Sequence, residues 1–413
     1  MFSLDHPEIL SHLGQLSYGY QPVQFANEHF ALIVKAGKDF ILTARLKNEL
    51  KIYLVPDIAN PGRSLGFITA FFDDHDEPLV MLTPLFAGDA MLTDLTAVLS
   101  QDQFNLYFFD EHDRELLGSS SQVRDVARFR EVLAETLFPM FDMNNVAGIH
   151  AAMTDWFGLR ILDDDAGSFT VDLGERLFFD DFLIMNLRNE AYNFVGSDGQ
   201  AMMTSLEREE PGPFQERDIV ALLRRAFPSE TVFLNPIRED SGTELTDVLV
   251  VTDEVVLLVQ AKDSPNTKAA LDRSIDRKQK VIRSHIEKGA KQLRGALAYI
   301  LERKEILLRT GSGTTQSVAV ADRATCGVVV VREMFDDDYR ACSAPVLAVA
   351  AACDQPCVLL SYPSLHVLTL HLPSPDRLIS GLLQIFDVAT EHGEYPKPRF
   401  LEKPQRDDEV PGV

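Results

Sequence analysis

Three polar residues interrupt an otherwise apolar stretch, and their types suit one kind of chemistry. The segment Gly242-Thr-Glu-Leu-Thr-Asp247-Val-Leu-Val-Val-Thr-Asp-Glu-Val-Val-Leu-Leu-Val-Gln260-Ala-Lys262 reads as two strands, Glu244–Val251 and Val255–Ala261, joined at a Thr252-Asp253 turn. Apolar runs of this kind form strands buried on both faces. Side chains alternate along a strand, so Gln260 and Lys262 share a face, and hairpin pairing brings Asp247 beside them. A carboxylate, an amide oxygen and an ammonium at the end of a hydrophobic sheet fit phosphodiester hydrolysis assisted by Mg²⁺ or Mn²⁺, hard cations that take oxygen ligands and few protein groups. The metal would neutralise charge on the scissile phosphate and acidify a bound water, while Lys262 orients that water or stabilises the pentavalent transition state. Glu216, on a predicted helix Phe214–Ala226, completes a ligand set of Asp247, Gln260 and Glu216, directly or through water.

The elements around the trio read as an α/β domain: the Phe214–Ala226 helix, strands Thr231–Pro236, Glu244–Val251 and Val255–Ala261, a basic helical region Lys268–Leu308, and a strand Gly327–Arg332. Charge follows the same division. The chain of 413 residues has 39 Lys+Arg against 63 Asp+Glu, a net −24, which excludes a protein that coats nucleic acid with its whole surface. Between Lys262 and Arg309, however, 13 basic residues face 6 acidic ones. Lys278, Lys280, Arg283, Lys288, Lys291 and Arg294 flank an apolar helical face of Val281, Ile282, Ile286, Ala290, Leu293 and Leu297, and are the expected phosphate contacts.

With these residues in place, the segment resembles the PD-(D/E)xK nuclease superfamily, the restriction-endonuclease-like fold. Asp247 matches the acidic residue on one strand and Gln260-Ala261-Lys262 the acidic-x-Lys motif on the next. The Q-x-K form is similar to the Mrr-like branch, and the Thr-Glu-Leu-Thr-Asp lead-in to nuclease-related (NERD-type) domains. Pro213-Phe214-Gln215-Glu216 resembles the opening helix with its acidic residue, and Gln292 falls on the helix where several branches carry an auxiliary Gln, although Ala296 stands where they carry Tyr and Tyr299 is further on. The resemblance covers about residues 212–335 and implies a mixed sheet flanked by helices, a DNA substrate, and a homodimer if both strands are cut. A nuclease of this plan in bacterial genome defence is an expectation by analogy; the alternative is an inactive nuclease-fold protein that binds nucleic acid or a protein partner.

The rest of the chain frames that domain. Residues 1–200 read as an acidic, sheet-rich α+β domain, divisible into a 1–120 sheet and a 121–200 helical part, whose role is regulation or recruitment of a protein partner. Its expected strands are His29–Lys35, Asp39–Arg45, Glu49–Val55, Gly66–Phe72, Leu79–Thr83 and Phe104–Phe109, in an antiparallel sheet, with helices Ala90–Leu99, Val123–Leu137 and Ile149–Leu159. Acidic-plus-His clusters after Phe72 and Phe109 read as turns rather than metal ligands. A charged, Gly- and Pro-bearing stretch puts the boundary near 196–212, a nuclease-like domain spans 212–390, and 391–413 reads as a flexible tail. No basic residue precedes Lys35 and no apolar run reaches the ~20 residues that cross a bilayer, so a cytoplasmic protein without a membrane span is expected. The four cysteines fit a reducing compartment. Cys353, Cys357, His366 and His371 fail as a zinc site, since the histidines sit five apart in a strand-like run and would face opposite sides.

Overall fold

Long Val- and Leu-rich runs give this chain two separate cores. A computed structural model describes the chain apart from residues 25–29, 74–76, 180–183, 187–193, 196–201, 311–312 and 399–413. The chain divides into two compact units, Met1–Asp180 and Asp181–Pro398, so the division falls ahead of the polar 196–212 stretch. Both units are mixed α/β, with mixed sheets flanked by helices.

The first unit is built on an eight-stranded sheet. Its strands are β1 (Gly19–Gln24), β2 (Phe30–Lys35), β3 (Glu49–Pro56), β4 (Ser64–Phe71), β5 (Leu79–Pro84), β6 (Phe104–Phe109), β7 (Glu115–Val123) and β8 (Phe169–Arg176), in the order β1-β2-β6-β7-β8-β3-β4-β5. The expected all-antiparallel sheet is corrected at one place: β2 and β6 run parallel. The sheet curls enough for Tyr20 of β1 to hydrogen-bond Thr69 of β4. Helices α1 (Phe2–Asp5), α2 (Ile9–Leu13), α3 (Lys38–Lys47), α4 (Ala90–Leu99), α5 (Val126–Glu135), α6 (Val146–Gly158) and α7 (Leu162–Gly167) complete the unit. The strand expected over Asp39–Arg45 is the helix α3. Its four consecutive buried residues, Ile41–Ala44, imitate a strand, but Gly37 before it and a left-handed Asn48 after it delimit a helix. The acidic-plus-His segment after Phe109 is a turn, as expected: Asp110 accepts from the backbone amides of His112 and Arg114 and pairs with the Arg114 guanidinium. In its counterpart, Asp74, His75 and Asp76 lie outside the described residues.

The second unit begins with a short antiparallel pair, β9 (Ile184–Asn186) and β10 (Met202–Thr204). Its core follows in the order α8 (Gly212–Leu223), β11 (Val232–Leu234), β12 (Ile237–Arg238), β13 (Val248–Val251), β14 (Val255–Lys262), α9 (Lys268–Leu271), α10 (Ile275–Leu301), β15 (Glu305–Arg309), β16 (Thr315–Ala319), β17 (Ala324–Val331), α11 (Tyr339–Cys353), β18 (Cys357–Ser361), α12 (Tyr362–His371) and α13 (Pro375–His392). The five-stranded sheet runs β11-β13-β14-β17-β18; β11, β13 and β14 are antiparallel, and β14, β17 and β18 parallel. A small sheet β12-β15-β16 accompanies it, so the helix expected over Lys268–Leu308 is two helices and a strand. The change at Glu305 marks where the apolar period shifts from helical to alternating, with Ile306 and Leu308 buried and their neighbours exposed.

Two glycines let α10 lie directly on the sheet. A β-carbon at Gly289 would sit 2.9 Å from Val329 Cγ1 and 3.4 Å from Lys262 Cγ, and one at Gly327 would meet the Leu293 side chain at 2.8 Å. The strand-like run holding His366 and His371 is α12, and His366 is buried against Arg225, Nη1 to Nδ1 3.0 Å. The expected tail is corrected at its start: α13 continues to His392, and Tyr395 is buried, its hydroxyl donating to the Cys357 carbonyl at 2.6 Å and its amide to Ser343 Oγ at 3.0 Å.

The α8 helix is anchored through a buried ion pair, Arg208 Nη1 to Asp218 Oδ2 at 3.2 Å, with both side chains almost wholly buried. Replacing one partner strands the other charge. Arg208→Ala is expected to destabilise this unit by about 3–5 kcal/mol, read by urea unfolding of the whole chain.

Candidate functional site

The site grows from the β13–β14 hairpin. Val248 pairs with Val259 and Val251 with Val256, which sets Asp247, one residue before β13, opposite Gln260 at the end of β14. Asp247 Oδ2 accepts from the Ala261 amide at 2.6 Å and from Lys262 Nζ at 3.0 Å. Lys262 Nζ also donates to the Ala261 carbonyl at 2.6 Å and reaches Gln260 Oε1 at 3.5 Å. The ammonium thus faces three oxygens, as many as it has protons to donate. Gln260 is oriented from behind: its Nε2 donates to Thr246 Oγ1 at 3.1 Å, and that hydroxyl donates to the Val259 carbonyl at 2.7 Å. Asp247, Gln260 and Lys262 therefore meet at one end of the sheet.

Glu216 arrives from α8 through an intermediary. Asn235, left-handed at φ 46° just after β11, donates its side-chain amide to Glu216 Oε2 at 2.9 Å and its backbone amide to the Asp247 carbonyl at 2.9 Å. A second acidic group, not among the residues expected at the site, joins it: Glu244, three residues before Asp247, interacts with the Asp247 carboxylate. The position of Glu244 is fixed by a bridge to Ile237 and by the Arg238 amide donating to the Thr243 carbonyl at 2.8 Å. Its signal in the sequence was the spacing Glu-x-x-Asp, ambiguous because the whole segment read as strand. Asn235 has a weaker signal, a polar residue inside the expected strand Thr231–Pro236, which the structure ends at Leu234.

Three carboxylates around one ammonium give the site its electrostatics. Glu244 keeps much of its surface exposed, yet loss of hydration at its carboxyl, then the neighbouring Asp247 and the charge of Glu216, push that carboxyl up to about 8, with Lys262 opposing. Glu216 is raised as well, by burial first and by Asp247, against the opposing effects of Asn235, Lys262 and Arg217. The donors Asp247, Gln260 and Glu216 are oxygens of the kind Mg²⁺ takes, so the chemistry of the set fits such an ion. As placed, Asp247 and Gln260 each accept from Lys262 and Glu216 accepts from Asn235; among the described residues no group of three or more His, Cys, Asp or Glu side chains is arranged as a metal centre. A cleft of about 510 Å³ lined by Phe233, Val251, Asp253, Glu254, Val318 and Asp376 opens at the turn end of the hairpin, away from this chemistry.

The basic helix divides in a way that its sequence did not show. Lys278 is buried, which removes it from the expected phosphate contacts, and Arg283 is bound to Asp338 at 2.6 Å. Lys280, Lys288, Lys291 and Arg294 are exposed. At 100° per residue, Lys280, Lys288 and Lys291 form one stripe with Arg277, which the sequence reading omitted, and Arg294 falls near Arg283 on the other flank. Exposed Ser284, Gly295 and Ala298 interleave the stripe and leave it low. Between stripe and site runs an edge of His285, Gln292 and Tyr299. Gln292 is exposed there, and Tyr299 donates to Asp240 Oδ2 at 3.1 Å with the Arg303 guanidinium 3.7 Å over its ring.

Comparison with protein-family models, with curated proteins and with solved structures finds no match to this chain. No helix among the described residues is long and apolar enough to cross a membrane.

The raised carboxyl of Glu244 makes a directional prediction. Folded chain holds that proton more tightly than unfolded chain, so the unfolded state binds fewer protons between the ordinary value of 4.5 and about 8 and stability falls across that interval as pH rises. Glu244→Gln should match the unaltered chain in urea unfolding at pH 4 and exceed it at pH 8.5.

Proposed function

We propose that the second unit is a metal-dependent nuclease domain of the restriction-endonuclease-like type, hydrolysing phosphodiester bonds in DNA. The observation that carries this reading is the meeting of Asp247, Gln260 and Lys262 at the end of one hairpin, with Glu216 joined to them through Asn235. The order of elements supports it: a helix with Glu216, a strand preceded by Asp247, a strand ending in Gln260-Ala261-Lys262 and a basic helix follow one another as the sequence resemblance implies. Asp247, Gln260 and Glu216 would hold Mg²⁺ or Mn²⁺, which when bound supplies charge neutralisation at the phosphate and an acidified water.

The chain's own groups do the rest. Lys262, fixed on its stem by α10 through Gly289, presents a cation to the non-bridging oxygens as charge builds there. Thr246 and Gln260 hold the amide oxygen toward that cation. Lys280, Lys288, Lys291 and Arg277 position the backbone without reading its sequence. The first unit, whose residues 1–120 carry 7 basic and 17 acidic residues, acts as a regulatory or recruiting module that discourages indiscriminate DNA contact.

One arrangement favours a second reading, a non-catalytic nucleic-acid or protein binder: Asp247 Oδ2 and the Lys262 ammonium already satisfy each other, and Gln260 brings no charge. The two readings part on mutation. For the nuclease, Asp247→Asn and Lys262→Ala each lower Mg²⁺-dependent cleavage of duplex DNA by at least about 100- to 1,000-fold while far-UV circular dichroism stays unchanged. A binder shows no cleavage in the unaltered chain. Binding is tested apart from chemistry: Lys288→Ala and Lys291→Ala should each reduce the slope of log affinity against log salt by about 1.

A further inference from the structure

His285 occupies the edge of α10 that borders the site. It is half-buried one helical turn before Gly289, the residue whose missing side chain lets the helix rest against the Lys262 stem. Its Nδ1 lies 3.5 Å from Oγ of Ser264, a buried residue two positions beyond Lys262, and the Ser264 amide is itself held by Asp263 Oδ1 at 2.8 Å. The Ser264 hydroxyl can donate to Nδ1, and that tautomer leaves the ring proton on Nε2. Burial, Lys288 and Lys262 all lower the tendency of the ring to take a second proton, so it stays a neutral donor in a cationic corner. On the helix surface it adjoins Lys288, the member of the basic stripe nearest the site. Nothing in the hydrolytic set described above uses it.

We propose that His285 is a further substrate-contacting residue, donating from Nε2 to a phosphate oxygen of the strand beside the phosphate held at Lys262. The inference rests on the nuclease reading and identifies where the strand leaves the site: along the α10 edge, from Lys262 past His285 toward Lys288. A neutral donor suits this place because a third adjacent cation would be repelled by the two lysines, whereas a phosphate oxygen draws both lysines and the imidazole N–H to the same side.

The test uses the full chain. In an Asp247→Asn background, which keeps duplex intact, binding of a fluorescein-labelled duplex is followed by anisotropy at low salt; in the Asp247 chain, cleavage of the same duplex is followed with Mg²⁺. His285→Ala is expected to weaken binding and to lower kcat/KM by about 10- to 100-fold, the loss of one hydrogen bond to a charged acceptor. His285→Gln, which keeps a neutral N–H at similar reach, should recover most of both. Equal binding and cleavage by His285→Ala and the unaltered chain would overturn the proposal, and so would a His285→Gln variant as weak as His285→Ala, since the ring would then matter for packing alone. The two readings fail separately. Binding that depends on His285 without any cleavage keeps the contact and removes the nuclease, and cleavage indifferent to His285 keeps the nuclease and removes the contact.

Discussion

The site of the second unit depends on one oxygen. Asp247 Oδ2 takes the amide proton of Ala261 and a proton of Lys262, so one carboxylate joins the start of β13 to the end of β14 by a backbone bond and a charge at once. Both side chains are mostly removed from water, 9% and 13% exposed. A pair so placed loses hydration that only close geometry repays, and the geometry comes from the hairpin register. Moving that register by one residue would turn Gln260 and Lys262 to the opposite face. The apolar pairing of β13 with β14 and of β14 with β17 therefore does more than fill a core; it fixes where charge can gather.

Charge gathers in excess. Asp247 contacts the single ammonium while Glu216 and Glu244 feel the charges of both, and this crowding is held in place by polar contacts outside it: Asn235 on Glu216, Thr246 on Gln260, and the Arg238–Thr243 turn ahead of Glu244. The same logic explains why α10 is basic where it faces solvent and small where it touches the sheet. Gly289 admits the Lys262 stem, Ala290, Leu293 and Leu297 fill the core, and the lysines are left on the exposed arc.

Buried charge serves a different end in the first unit. Lys35, almost fully buried, bonds the Leu13 carbonyl at 2.6 Å and Asp113 at 2.8 Å, while buried Glu115 accepts from the amides of Phe2 and Ser3 and from the Ser3 hydroxyl. These contacts tie the first two helices to β2, β7 and the turn after β6. The cluster Asp110–Arg114, whose composition invites thoughts of a metal, is a turn closed on itself.

Local pattern alone determined much of this protein. The strand Phe104–Phe109, the strand Val255–Ala261 to within one residue, the helix Ala90–Leu99, the pairing of Asp247 with Lys262 and the concentration of positive charge after it all follow from alternation, helical period and charge count, which are properties of neighbouring residues. Tertiary structure decided what those rules cannot reach. Whether Lys278 meets solvent turned on how α10 lies against its neighbours; whether Tyr395 belongs to a tail turned on its bonds to β18 and α11. Asn235 and His285 enter the site by the same route, through contacts with residues distant in sequence and the seating of a helix on a sheet, and Glu244 enters by the turn that closes Arg238 on Thr243; composition carries no record of these contacts.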